Sequence, residues 1–314
     1  MRAFAIDEFG QAGSIREMPN PIAGDGEVLV RVKAAGLSTT DISVMAGALK
    51  DWFEHRFPLV PGIDVSGVVE RVGPGVEGYR EGDEVYGFVR RPVMGVGTLA
   101  ELVALPVNGI QTKPASLSHE QAAVIGHAAL TATAAVESAA PRPGDRVVIL
   151  GATGGVGSYA TQLAKQSGAD VSAVTRGEYA EYARSLGASD VIDYTATAPV
   201  EAVRERYPEG IDALIDLAGV PDLLSGLADL VHSGGRVVSV VMPPDVEGLA
   251  ARGVEGVMAA RTIADDRLPE IGARIADGSL RMPAIRTFPF EQAGEAVELQ
   301  SSRHVKGKLA VVVG

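Results

Sequence analysis

The feature that most restricts the fold of this 314-residue chain is a strand-like run, Val147-Val148-Ile149-Leu150. It is followed at once by Gly151-Ala152-Thr153-Gly154-Gly155-Val156-Gly157 and then by a helical run over residues 158–165. Glycines allow the tight turn and let backbone amides approach a pyrophosphate, while the start of a helix supplies free N–H groups and partial positive charge. A glycine-rich turn can also be a plain strand-to-helix connection. Here it stands inside a series of alternating strands and helices, a context that reads as a parallel sheet with crossovers and a dinucleotide site at this turn. The candidate cofactor-binding residues of the turn are Gly151, Thr153, Gly154, Gly155, Val156 and Gly157.

The other strand candidates of this region are residues 171–174, 191–192, 213–215 and 236–241, with amphipathic helices over 157–167 and 178–186. An alanine-rich helix over 120–140 precedes them. The first hundred or so residues have a different rhythm. Short β-type runs such as 28–32 and 65–69 are broken by Pro19-Asn20-Pro21 and Gly73-Pro74-Gly75, as in a compact, mostly antiparallel barrel-like domain. A helix near 290–301 and a strand over 308–313 close the chain, whose length suits two domains.

Roughly twenty residues beyond such a turn, an acidic side chain at the tip of the second strand normally bonds the ribose hydroxyls of NAD and repels a phosphate. The tip here reads Thr175-Arg176-Gly177. The planar fork of Arg176 beside Thr175 suits a 2′-phosphate, which points to NADPH. Glu178 argues the other way, unless it complements a helix dipole. Asp216-Leu217-Ala218-Gly219 ends another apolar strand, where Ala218 and Gly219 leave room for a ribose or nicotinamide ring.

A net charge of -12 and a pI of about 4.9 disfavour nucleic acid or an anionic membrane as partner. No run approaches the roughly 18–20 apolar residues of a bilayer span, and Asp7 and Glu8 follow the first apolar residues, so a cytoplasmic protein is expected. Cysteine is absent, which removes disulfides, thiolate nucleophiles, iron–sulfur clusters and cysteine-ligated zinc. His55, His119, His232 and His304 form no ligand set by spacing.

Several further motifs occur in a familiar order: Pro61-Gly62-Ile63-Asp64-Val65-Ser66-Gly67-Val68-Val69, Gly82-Asp83-Glu84-Val85-Tyr86-Gly87, Gly97-Thr98-Leu99-Ala100-Glu101, Leu130-Thr131-Ala132 and Val305-Lys306-Gly307-Lys308. With the glycine turn, they make the chain resemble the medium-chain dehydrogenases/reductases nearly end to end. The resemblance implies an α/β fold: a GroES-like, mostly-β catalytic domain over 1–118, completed by 268–314, and a doubly wound Rossmann domain over 119–267. Zinc-dependent members carry a cysteine in the segment that here reads Gly36-Leu37-Ser38-Thr39-Thr40-Asp41, and Gly-His-Glu where this chain has Gly62-Ile63-Asp64. Ser38 and Ile63 thus take the places of two metal ligands, as in the zinc-free quinone-oxidoreductase and enone/enoyl-reductase branch.

Membership of that branch implies hydride transfer from NADPH to a quinone or to the activated C=C bond of an enone, without metal, in a homodimer. An apolar edge at 237–241 is the place where two sheets could join. The alternatives are an enoyl-thioester or polyketide-type enoyl reductase and a non-catalytic NADPH-binding sensor or structural protein. Many branch members have asparagine where Ser38 stands and a lysine near Glu178. Tyr194 matches a tyrosine that can lie against the 2′-phosphate, a half-buried strand-end tyrosine being the other reading.

Thr131 falls in a segment that relatives place against the nicotinamide, so its hydroxyl is a candidate to orient the carboxamide or substrate carbonyl; otherwise it bonds its own helix. Ser38 is the second catalytic candidate, as a polar wall of the substrate pocket. Asp41 reads as a helix cap rather than a base. His127, four positions before Thr131, shares its helix face and is either structural or a proton donor. Trp52 and Phe53 are either substrate-entrance or core residues.

Overall fold

The computed structural model describes residues 1–89, 93–259 and 265–314. Its contacts divide into two units: Met1–His127 with Asp265–Asp277 and Ala284–Gly314, and Ala128–Ala264 with Gly278–Pro283.

The first unit is built on a seven-stranded sheet in the order Ile285–Pro289, Lys308–Val312, Glu27–Leu37, Asp64–Val72, Glu84–Phe88, Ile110–Thr112, with Leu102–Pro106 also paired to Glu27–Leu37. All these pairings are antiparallel except that of Ile285–Pro289 with Lys308–Val312. The 11-residue strand Glu27–Leu37 is the organiser: Val28, Val30 and Val32 alternate into a core that includes Phe4, Ile6, Leu59, Leu99, Phe290 and Leu309. Near its end Gly36 lets a neighbouring segment come close, since a Cβ there would stand 2.2 Å from the carbonyl oxygen of Ala123.

The second unit carries six parallel strands in the order Asp190–Asp193, Asp170–Thr175, Arg146–Leu150, Ile211–Asp216, Val231–Ser239, Glu255–Met258. Val147, Val148, Ile149 and Leu150 are all fully buried, as expected of a central parallel strand covered on both faces. The chain winds outward from Arg146–Leu150 in one direction, then returns to its other side with Ile211–Asp216 and winds the opposite way. The glycine turn therefore leaves the sheet at its topological switch point, where open α/β sheets bind ligands.

Four expectations need correction. Residues 237–241 are not a sheet edge, because Glu255–Met258 pairs along the outer side of Val231–Ser239; the edge is that shorter strand. The strand expected over 236–241 runs instead over Val231–Ser239, with Gly234 at a φ of 88° inside it. The alanine-rich helix is two pieces, His119–Ala122 and Gly126–Ala139. The second starts afresh because the His127 amide donates to Asp64 Oδ1 at 2.7 Å, a carboxylate set at a helix N-terminus. The stretch His119–Ala139 is also, by length and composition, apolar enough to cross a membrane, contrary to expectation; 78% of its most apolar window is buried inside the protein, as befits core helices.

Candidate active site

The phosphate cradle forms where the strand Arg146–Leu150 gives way to the helix Gly155–Gln166. Gly151 takes a φ of 75°, and Gly157 packs so tightly that a Cβ would stand 2.1 Å from the Gly151 carbonyl oxygen. Gly154 is the extended N-cap residue, and a Cβ on it would meet only that same oxygen, at 3.5 Å. The first N–H of the ladder that reaches back to Gly154 O is that of Ser158, so the amides of Gly155, Val156 and Gly157 precede the intrahelical bonds. Gly154, Gly155 and Val156 are partly exposed, whereas Thr153 is buried and shares a hydroxyl–hydroxyl bond with buried Thr175. That bond ties the turn to the tip of the adjacent strand and commits the Thr175 hydroxyl.

Arg176 is half-buried at the tip. Its Nε pairs with Glu178 Oε1 at 3.0 Å, a contact the bare sequence leaves open. Tyr194 follows the end of Asp190–Asp193 with 42% of its surface exposed, and its amide donates to the Thr175 carbonyl oxygen. Asp216, buried at the end of Ile211–Asp216, accepts the amides of Ala218 and Gly219 and the Ser239 hydroxyl. Ala218 and Gly219 thus offer smallness rather than free N–H groups.

Thr131 is 3% exposed, and its Oγ1 has no hydrogen-bond partner. Thr133 on the same helix returns its hydroxyl to the Ala129 carbonyl oxygen, so the free Thr131 hydroxyl is not a rule of the helix. Burial holds the His127 imidazole below its ordinary pKa, with Asp64 opposing and Lys308 reinforcing that effect, so it is neutral at pH 7.

Ser38 is the N-cap of the helix Thr39–Met45, and its hydroxyl and amide both donate to Asp41 Oδ2, at 2.8 and 2.7 Å. Asp41 Oδ1 accepts the Gly62 amide. Asp41 therefore closes the capping box, and the Ser38 oxygen keeps only acceptor capacity. Trp52 is 71% exposed and so belongs to no core.

Two residues that sequence reasoning passed over hold this region. Asp64, fully buried, receives Lys308 Nζ at 2.9 Å on Oδ2 as well as the His127 amide on Oδ1, and Lys308 also donates to the Leu37 carbonyl oxygen. Both lie in quoted motifs, but nothing local in the sequence pairs them.

Burial pushes the Asp41 carboxyl up to about 6 and Asp64 adds to this, against the Ser38 bonds and the Lys308 charge, which lower it. A folded-state pKa raised above the unfolded value gives a stabilisation that is complete below about pH 4 and lost as the pH rises through about 6. Compared with Asp41→Asn, the native protein should lose on the order of 2 kcal/mol between pH 4 and 7.5. Urea titrations of both proteins across that range would reveal it; parallel pH profiles would mean that Asp41 does not titrate there.

The comparisons agree with this architecture. Residues 24–115 match the alcohol dehydrogenase GroES-like domain, and residues 186–311 match the family described as zinc-binding dehydrogenase. The chain is 33% identical to the human mitochondrial NAD(P)H oxidoreductase RTN4IP1, with 100% of this chain and 89% of that protein covered. Identity to the chloroplastic NADPH-dependent alkenal/one oxidoreductase of Arabidopsis thaliana is 30%, over 99% of this chain and 79% of the relative. The quinone oxidoreductase structure from Coxiella burnetii superposes with a TM-score of 0.88 at 29% identity, covering 100% and 99% of the two chains. With a GroES-like unit, a parallel sheet whose glycine turn sits at the switch point, and relatives of this kind over its full length, the chain belongs to the medium-chain dehydrogenase/reductase superfamily and is an oxidoreductase served by a nicotinamide cofactor.

Proposed function

We propose that this protein is an NADPH-dependent, metal-independent reductase of quinones or of the activated C=C bonds of enones. The observation that carries the reading is the glycine turn at the switch point, with the solvent-accessible Arg176 at the tip of the neighbouring strand. Gly154 carries no side chain over the start of the helix, where a Cβ would make only one ordinary contact, and this smallness favours the close approach of a pyrophosphate. There the amides of Gly155, Val156 and Gly157 would hold it, and Arg176, with Tyr194 nearby, would take the 2′-phosphate. Bound in this way, the nicotinamide supplies the hydride, chemistry that no side chain of the chain can provide.

The chain's own contribution is orientation. The unpartnered Thr131 hydroxyl has a bond to offer a carboxamide or an acceptor oxygen, while Ser38 can only accept. Neutral His127 is no strong acid. With no strong acid among these candidates, the reading favours an acceptor already activated by conjugation, whose reduced oxygen is delocalised and takes its proton from water. The substrate class follows relatives named for alkenal/one and quinone reduction. A homodimer, which the family resemblance implies, belongs to the same reading.

Zinc does not fit the residues present. The Ser38 hydroxyl hydrogen goes to Asp41, Ile63 has no donor atom, and Asp64 is engaged by Lys308 and His127. Among the described residues no three His, Cys, Asp or Glu side chains are grouped to hold a metal.

The test mixes the protein and NADPH with quinones, enones and an enoyl thioester in the presence of chelator and follows loss of reduced-nicotinamide absorbance. Turnover confined to the thioester would shift the substrate class. Binding of NADPH without any turnover would favour a sensor or structural role, and loss of activity to chelator would bring a metal back. Arg176→Ala should weaken NADPH by roughly tenfold to a hundredfold, the worth of one charge-assisted bond to phosphate, and NADH far less. Equal losses would remove Arg176 as the phosphate reader.

A further inference from the structure

The tip that would read the adenosine ribose holds two opposed side chains. Arg176 Nε and Glu178 Oε1 lie 3.0 Å apart, and both groups are solvent-accessible, so the pair opens at little cost. A second carboxylate is close: Asp193 lies against Gly177, where a Cβ would stand 2.2 Å from its Oδ2. Hydrogen bonds from the Thr195 hydroxyl and amide, with the Arg176 charge as a lesser contribution, hold the Asp193 carboxyl below its ordinary range. A 2′-phosphate approaching Arg176 must therefore displace Glu178 and enter the field of two carboxylates, bringing close to two negative charges of its own. A ribose that carries a free 2′-hydroxyl meets neither obstacle and finds in Glu178 the acceptor that NAD sites use.

Resting on the NADPH reading above, we propose that Arg176 and Glu178 form a two-position latch that lets this site accept both NADPH and NADH, with Glu178 as the residue that holds the phosphate preference down. In the closed position each side chain neutralises the other. With NADPH, Arg176 turns to the phosphate and Glu178 is left to solvent. With NADH, Glu178 takes the ribose hydroxyls and Arg176 remains its counter-ion. The balance between cofactors is then set by a side chain two residues beyond the strand tip.

The experiment titrates NADPH and NADH separately into the full-length native protein, Glu178→Gln and Glu178→Asp, following nicotinamide fluorescence, and repeats the comparison as KM for each cofactor. Glu178→Gln should tighten NADPH and weaken NADH by about two- to fivefold each, the scale of an exposed charge pair. Glu178→Asp, which keeps the charge, should stay closer to the native ratio. The opposite signs are the signature, because general damage to the tip would weaken both cofactors. A ratio that Glu178→Gln leaves unchanged, in a protein that binds NADPH, overturns the latch alone. A native protein that binds NADH and not NADPH overturns both the latch and the NADPH reading.

Discussion

Lys308→Met should destabilise the first unit by about 3–5 kcal/mol, because it leaves the Asp64 carboxylate buried without its counter-ion. Asp64 is fully buried, and Lys308 is 4% exposed, so water can replace neither partner. Asp64→Leu should do comparable harm for an added reason: Oδ1 also accepts the His127 amide, and an unpaired buried N–H costs about 1–3 kcal/mol. The informative variant is the double replacement Asp64→Asn with Lys308→Met. It removes both charges and leaves an amide oxygen to accept from His127, so it should recover most of the loss. Guanidinium unfolding of the three proteins decides the matter. A double variant as unstable as Lys308→Met would mean that the ion pair itself, rather than the avoidance of a lone buried charge, stabilises the fold.

The second large effect separates two glycines of one turn. Gly157→Ala drives a methyl into the Gly151 carbonyl oxygen, with Ala152 backbone 2.6 Å away, so the turn itself must move. It should lower stability by about 1–3 kcal/mol and weaken the cofactor at the same time. Gly154→Ala meets only one atom, at 3.5 Å, and its φ of -73° is open to alanine, so stability should change by less than about 0.5 kcal/mol. The new methyl nevertheless fills the space over the helix N-terminus, and cofactor affinity should fall by roughly tenfold to a hundredfold as bonds to the pyrophosphate are lost. Thermal melts and cofactor titrations run in parallel give the answer. If Gly154→Ala bound cofactor normally, the pyrophosphate would not lie against Gly154.

What could be read in the sequence was what short-range pattern encodes. Residues 147–157 declare strand, turn and helix in order, and their alternation with later strands sufficed for a parallel sheet. Interactions between distant residues could not be read. Asp64 and Lys308 stand 244 positions apart, and no periodicity links them. The break near residue 125 has the same origin: no proline marks it, and the helix restarts because Asp64, far away in sequence, claims the His127 amide. Glu255–Met258 was missed for its shortness and mixed composition, which made the more apolar strand before it look like the edge. At the candidate site, Arg176 and Glu178 were both visible, but only the coordinates show them facing each other. The same is true of the Ser38 hydroxyl, whose hydrogen turned out to belong to Asp41.

The sheet of the first unit also bears on synthesis. Glu27–Leu37 is made before every strand of the second unit, yet one of its partners, Lys308–Val312, is made after all of them. The six strands of the second unit all lie between Arg146 and Met258 and can pair while translation continues. The first unit thus closes only after the strands of the second have been made, and until Lys308–Val312 docks, Asp64 waits without its cation and Ala34–Leu37 stays unpaired along the side that this strand covers. The open segment Ala34–Leu37 is a template for stray pairing with other chains. Slow or stalled translation beyond the second unit should therefore promote aggregation more than the same delay within it.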